Sequence, residues 1–322
     1  MKKFLQDLQK ELQKKHMKSE EINDIISDHE EMIQNAIDEG LSEAQIIEKF
    51  GDPKNLADEL ADDSKMKNSE ENDDECCKEE YKLWKSFEVT KDTFNVDISL
   101  TQEDVCFKPS KDKLINVYYL GKLAEDKYTL KFENDLLTFN GPKHVNLFFI
   151  NLRSQQVKFM FEIPENMIAD EFKFRSVNAD CEFSGIKANN FIISTTNGDL
   201  EIKDVKFGDV KWNSVNGDIN LTNADLKSLC SSQVSGDIEC KRVKIAGPFR
   251  VHTVSGDMNL TDSCCDELDL HTVSGDVNGK EFYPKKVILK AISGDICITN
   301  KEKTIIEIIK KSSVSGDIKI NN

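Results

Sequence analysis

No apolar run in this 322-residue chain approaches the length of about 18 residues that marks a membrane-spanning helix. The opening residues, Met1-Lys2-Lys3-Phe4, lead into charged helix rather than the apolar core of a secretion signal, so neither bilayer spanning nor signal-directed export is expected. Neither Cys76-Cys77 nor Cys264-Cys265 leaves the two-residue gap that lets paired thiolates grip one zinc. Nine cysteines without a secretory signal read instead as reduced thiols in the cytosol. Also missing are an HExxH pair, a glycine loop able to cradle phosphate and a recognisable Ser/His/Asp set. Basic charge is in deficit: Lys and Arg total 43 against 59 Asp and Glu, a net charge of −16. Residues 1–85 carry 24 acidic and 13 basic side chains, so −11 of that charge lies there and −5 in the remainder. Such a field repels nucleic-acid backbones and anionic lipid surfaces and favours a basic protein partner.

What the chain has is repetition. A phrase of the form Ser/Thr-Val-Ser/Asn-Gly-Asp-Ile recurs seven times, as Gly198-Asp199, Gly217-Asp218, Gly236-Asp237, Gly256-Asp257, Gly275-Asp276, Gly294-Asp295 and Gly316-Asp317. The intervals are 19, 19, 20, 19, 19 and 22 residues, the period of a solenoid coil. A worn copy, Ser176-Val177-Asn178-Ala179-Asp180, lies one interval upstream, with alanine in place of the glycine.

Two apolar alternations of opposite parity repeat with the phrase. One passes through Phe191/Ile193, Val210/Trp212, Phe249/Val251, Leu268/Leu270 and Val287/Leu289; the other through Leu200/Ile202, Ile219/Leu221, Ile238/Cys240, Met258/Leu260 and Ile318/Ile320. A period of two is a strand, and the change of phase between the sets places a corner, since a continuous strand would turn one set into water. Each coil therefore has at least two strands. The expected fold is mainly β: a parallel β-solenoid of about eight 19-residue coils, capped by irregular strands and preceded by a small all-α domain. At about 4.8 Å per coil the rod would be about 35 to 40 Å long.

The glycine suits a corner residue with positive φ, and the aspartate beside it suits a side chain that binds turn N–H groups. Stacked aspartates repel by about 1 kcal/mol per neighbour even in water, so something must offset them. Backbone N–H donors are the reading adopted, with a bound cation as the alternative. His252 and His271 occupy the same outward position on adjacent coils, near Arg250 and Asp269. A solvated polar ladder is the plainer reading of that pair, a shared metal the other. Because the acidic residue recurs uniformly rather than at one special place, no catalytic site and no cofactor are expected.

The N-terminal third reads as helices. Phe4, Leu5, Leu8 and Leu12 form one stripe, and Ile22, Ile25, Ile26, His29, Met32, Ile33 and Ile37 a second, closed by Gly40. Leu41-Ser42-Glu43-Ala44-Gln45-Ile46 is a capping box with a hydrophobic staple that opens a third helix, and Asp52-Pro53 caps a fourth. His29 is expected to be packed rather than catalytic. The boundaries drawn are 1–62 for an acidic helical domain, 63–85 for a charged flexible linker, 86–170 for the capping strands and 171–322 for the repeats. Within the cap, strands are expected at Phe94–Leu100, Leu114–Leu120, Tyr128–Phe132, Leu136–Phe139 and Val157–Ile163.

Gly51-Asp52-Pro53 after an acidic helical unit, with Leu41-Ser42-Glu43 before it, resembles the HAAS helical domain of bacterial membrane and signalling proteins. The Ser-Gly-Asp-Ile repeats and the preceding Phe161-Glu162-Ile163-Pro164 resemble the putative adhesin family of β-solenoids, domain of unknown function 4097. The first resemblance implies regulatory surroundings and commonly a following transmembrane segment, whereas residues 61–85 here are too charged to span a bilayer. The second implies the solenoid fold and carries over no catalytic residue. Together they point to a cytoplasmic, non-catalytic interaction or scaffold protein that binds a protein partner or self-associates. The alternatives are an adhesin-like binder at the membrane periphery or cell surface, reached by export without a signal, and, further off, a polysaccharide-active β-helix enzyme.

Overall fold

A single coil buries one side of each strand only when another coil lies above and below it, so the fold is set by how coils register on one another. The computed structural model describes residues 2–15, positions scattered between 22 and 57, 81–142, 157–302 and 304–321. The chain separates into two units, Met1–Lys78 with His144–Gln156, and Glu79–Lys143 with Val157–Asn322. The second is a β-solenoid of about 8 turns.

Its strands are parallel and in register. Leu200, Ile219, Ile238, Met258, Val277, Ile296 and Ile318 lie one above the next in a single inward row. Phe172, Phe191, Val210, Leu229, Phe249, Leu268 and Val287 form a second. The structure adds a third side, formed by Val205/Phe207, Ala224/Leu226 and Val243/Ile245, all buried. It is set off by a left-handed corner at Asp204, Asn223, Arg242, Asp262 and Glu281, with φ between 51° and 55°. Two irregular rungs explain themselves through their neighbours. Ser231, fully buried in the second row's strand, accepts a hydrogen bond from the Trp212 indole on the coil before it. Gly279 leaves the space that Phe282 fills: a Cβ there would come within 3.2 Å of the Phe282 Cβ.

Residues 93–164 do more than cap the stack. Thr93–Ser99 pairs in parallel with Ile168–Asn178 on one side and Leu136–Asn140 on the other. Val105–Ser110 likewise lies between Cys181–Ser184 and Lys158–Pro164. These four strands of the expected cap region are therefore rungs of the solenoid, and the coil 93–110 is inserted between two coils that follow it in sequence. Phe107 marks the insertion, stacked between Phe161 at 4.9 Å and Phe183 at 5.0 Å. In this coil buried Glu103 shapes the corner: its carboxylate accepts the Thr101 and Gln102 N–H groups, each at 3.0 Å.

Among the described residues, only Lys82–Glu88, Leu114–Leu120 and Thr129–Glu133 run antiparallel, closing this end of the stack. The first of them begins inside the segment expected to be a flexible linker. Trp84 holds it, its ring 5.8 Å from Phe159, 6.1 Å from Phe139 and 6.3 Å from Tyr128. Residues 82–85 are therefore strand, not tether.

In the first unit, helix Lys2–Lys14 buries Phe4, Leu8 and Leu12. His29 is buried, with Nδ1 donating to the Ile25 carbonyl at 2.7 Å. Asp52 accepts the Lys54 N–H at 2.8 Å, the bond of an N-cap preceding Pro53 at the first helical position. Most of the third helix with its capping box, linker residues 63–80 and the Cys76-Cys77 pair lie outside the described residues.

At the repeated corner a side chain has no room. Gly256 has φ of 119°, and a Cβ there would sit 2.0 Å from the Gly236 carbonyl oxygen of the coil beneath. Gly256→Ala is therefore expected to destabilise the solenoid by about 1 to 3 kcal/mol, while Ser255→Ala, one residue away with an exposed side chain, leaves it nearly unchanged. Denaturant melts of the two variants measure the difference.

Candidate functional site

The corner places three kinds of side chain in rows along the stack. The first is the aspartate row. Asp199, Asp218, Asp237, Asp257, Asp276, Asp295 and Asp317 each donate a backbone N–H to the Oδ1 of the aspartate one coil earlier, at 2.7 to 2.9 Å. The row extends further back than the repeats, since Asp180 donates in the same way to Asp104 at 3.1 Å. Every bond crosses between coils, so the carboxylates fasten the stack rather than the individual turn. Asp104 was not legible as a member of the row, because no Gly-Asp phrase surrounds it.

The second row is hydroxylic and faces inward. Thr253 and Thr272 donate to the carbonyls of Ser255 and Ser274 at 3.3 and 3.2 Å, and Gln233 reaches the Gly217 carbonyl at 2.9 Å. This satisfies corner carbonyls that the bend would otherwise leave unpaired.

The third row faces outward and is aliphatic: Val215, Val234, Val254, Val273 and Ile292 are 41 to 51% exposed although each belongs to a well-packed coil. Their backbones are bonded from coil to coil, as in Ser255 N–H to Val234 carbonyl at 2.9 Å. The exposure is thus built into the corner. Two residues before each of Val254, Val273 and Ile292 stand His252, His271 and Lys290, aligned in their own outward row. Between these rows runs a groove of about 590 Å3, its floor reaching Thr253, Thr272 and Ala291.

His252 and His271 are brought together, with ring centroids 4.7 Å apart and planes inclined by 48°. His271 Nε2 lies 3.1 Å from Asp269 Oδ1 without the alignment of a hydrogen bond. Burial and the neighbouring Lys290 ammonium, helped by His252, lower the His271 pKa more than Asp269 raises it. Among the described residues no three His, Cys, Asp or Glu side chains gather as a metal site.

A second cavity of about 440 Å3 lies beside the start of the aspartate row, lined by Asp104, Asp180, Glu182, Asp199 and Glu201 with Tyr81, Cys106 and Lys158. Its thiol is not primed for attack: burial and the adjacent Glu182 push the Cys106 pKa up to about 11. Burial likewise raises Cys181 and takes Cys240 to about 12. Lys158 sits 3.3 Å from Asp104 and offsets part of the acidic field.

A stack of parallel coils, fastened by a carboxylate row and carrying an exposed aliphatic row along one corner, defines a β-solenoid. The chain belongs to the Toastrack DUF4097 family, whose model matches residues 94–230 and 216–322. The HAAS family model matches residues 3–59. Among solved structures, one described as a putative adhesin from Parabacteroides distasonis shares the fold at 12% identity and a TM-score of 0.51, covering 76% of this chain and 98% of its own. A structure described as a putative lipid binding protein from the same species matches at 16% identity and a TM-score of 0.48, over 73% of this chain and 96% of its own. No curated protein matches.

Two outcomes are expected. Asp257→Ala leaves the Asp276 N–H without its acceptor and should cost about 1 kcal/mol, whereas Asp257→Asn keeps an acceptor oxygen and stays near wild type; calorimetric melts with and without chelator compare them, and chelation alone should not shift the wild type. For His271, a native pKa below the ordinary 6.5 means that the unfolded chain binds its proton first. The contribution is complete above about pH 6.5 and is lost as pH falls toward the lowered native value. His271→Gln should therefore lose less melting temperature between pH 7.5 and 5.5 than the wild type does.

Proposed function

We propose that this is a non-catalytic binding protein: a rigid solenoid whose aliphatic edge is the contact surface, joined to an acidic helical module that binds a protein partner or a second copy of the chain. The observation that carries the reading is the exposed Val/Ile row. Five consecutive coils spend a corner position on a branched aliphatic side chain that adds little to the core, and a contiguous exposed apolar strip of this kind marks an interaction surface. The Gly-Asp row is assigned a structural role, because each carboxylate already has a backbone donor one coil along. The raised pKa values of Cys106 and Cys240 disfavour either thiol as a nucleophile.

The location that fits best is the cytoplasm, supported by the free state of all seven described cysteines, three of them buried. No helix among the described residues is long and apolar enough to cross a membrane. A second reading, an adhesin-like binder exposed at the cell surface, draws support from the structural relative described as a putative adhesin. Protease shaving of intact cells separates the two.

Replacing Val254 and Val273 together by Glu leaves the interior rows untouched, so the melting temperature should stay within a few degrees of wild type. If the edge is the contact surface, complexes crosslinked to the full chain in cells of its host, and any concentration-dependent sedimentation, should fall at least fivefold. Unchanged complexes from a folded double variant would remove the edge from consideration.

A further inference from the structure

The groove beside the aliphatic row differs from the rest of this acidic molecule in one respect: its lining includes no Asp or Glu. The residues around its about 590 Å3 are Val, Ile, Ala, Ser, Thr, Asn, Gln, two histidines and Lys290, in a chain whose formal charge is −16. One wall is the row Val234, Val254, Val273 and Ile292; the other is the row His252, His271 and Lys290. Both rows follow the stacking direction, so the aliphatic wall extends for about 15 Å over its four rungs. The size is that of a small-molecule site, and a mostly apolar lining with a few polar groups on one side orients a ligand by its polar end.

A peptide strand cannot add here by backbone pairing, because the coil-to-coil ladder already consumes the corner N–H groups of Ser255, Ser274 and Ser293. An extended hydrocarbon needs no such donors. From this geometry we infer that the groove binds a single-chain aliphatic carboxylate, a fatty acid. The chain lies along Val234, Val254, Val273 and Ile292, and the carboxylate pairs with the Lys290 ammonium, flanked by the His271 and His252 imidazoles. Asp269, two residues before His271 on the same strand, approaches its Nε2 at 3.1 Å but is not part of the lining; its charge opposes a carboxylate at that end, and the Lys290 ammonium must outweigh it. The inference rests on the edge being a contact surface and adds the chemistry of what it contacts.

The test is calorimetric titration of the full chain with sodium decanoate below its micelle concentration. Saturable binding is expected, weakened at least fivefold by Lys290→Glu and by Val254→Glu and unchanged by Lys241→Glu, which makes the same charge change at an exposed position outside the groove. The uncharged 1-decanol should bind at least fivefold more weakly than decanoate. Lys290→Gln serves if the charge reversal lowers the melting temperature. Absence of saturable binding, equal affinity for the alcohol, or equal loss in Lys241→Glu overturns the inference, as does association with phosphatidylglycerol vesicles in the absence of decanoate binding. If decanoate fails to bind while the Val254/Val273 double variant still loses its complexes, the ligand class is wrong and the contact edge stands; if neither responds, both readings fall.

Discussion

The close approach of one corner to the next is the constraint on which the rest of this structure depends. Coils about 4.8 Å apart can keep every backbone N–H and carbonyl paired only if nothing intrudes between them. At the corner, where the chain bends and ladder bonding would fail, a Cβ would collide with the carbonyl below, as at Gly256 over Gly236. Glycine removes the collision, and the aspartate beside it supplies an acceptor for the N–H that the bend turns toward its neighbour. The two residues act as one device. Their repetition converts a short phrase into a rod, and the mutual repulsion of stacked carboxylates is offset bond by bond by the donors that they receive.

The same device leaves the preceding residue with a fixed direction. The side chain before the Ser/Asn-Gly-Asp group cannot enter the interior, where Thr or Ser already occupies the inner side of the bend and binds its carbonyls. A branched aliphatic there suits extended backbone but must face solvent. Edge and core thus share one origin, and an exposed aliphatic row arises at little structural cost: the outward side chain can change without altering how the coils stack.

At the other end the stack is closed by a different principle. The coil 93–110 has no Gly-Asp corner, yet its strands lie between Leu136–Asn140 and Lys158–Pro164 on one side and Ile168–Asn178 and Cys181–Ser184 on the other. The glycine is missing, but Asp104 still accepts the Asp180 N–H; buried Glu103 accepts the Thr101 and Gln102 N–H groups at the bend, and Phe107 stacks between Phe161 and Phe183 in the strand that follows. Antiparallel strands then cover the exposed edge, with Trp84 anchoring the outermost. A parallel edge left open invites pairing with another chain, and this arrangement removes that hazard at one end.

The amino-acid sequence by itself determined the coil: its period, the inward pairs such as Ile238/Cys240 and Phe249/Val251, and the Gly-Asp corner. These are local periodicities, repeated so often that their register is unambiguous. The third side was concealed because its inward positions hold Ala224, Ser263 and Cys265 as well as larger residues, and its corner uses Asp, Asn, Arg and Glu instead of glycine. Tertiary structure alone decided that residues 93–110 are a rung, since their parallel partners in 168–183 lie 75 to 76 residues away and only packing selects them. It also decided the groove: His252, His271 and Lys290 share an outward position in the repeat, but an acid-free concavity beside Val254 and Val273 exists only where consecutive coils bring both rows side by side. Repetition writes the interior of a solenoid into its sequence, whereas the surface depends on what each coil places next to its neighbours.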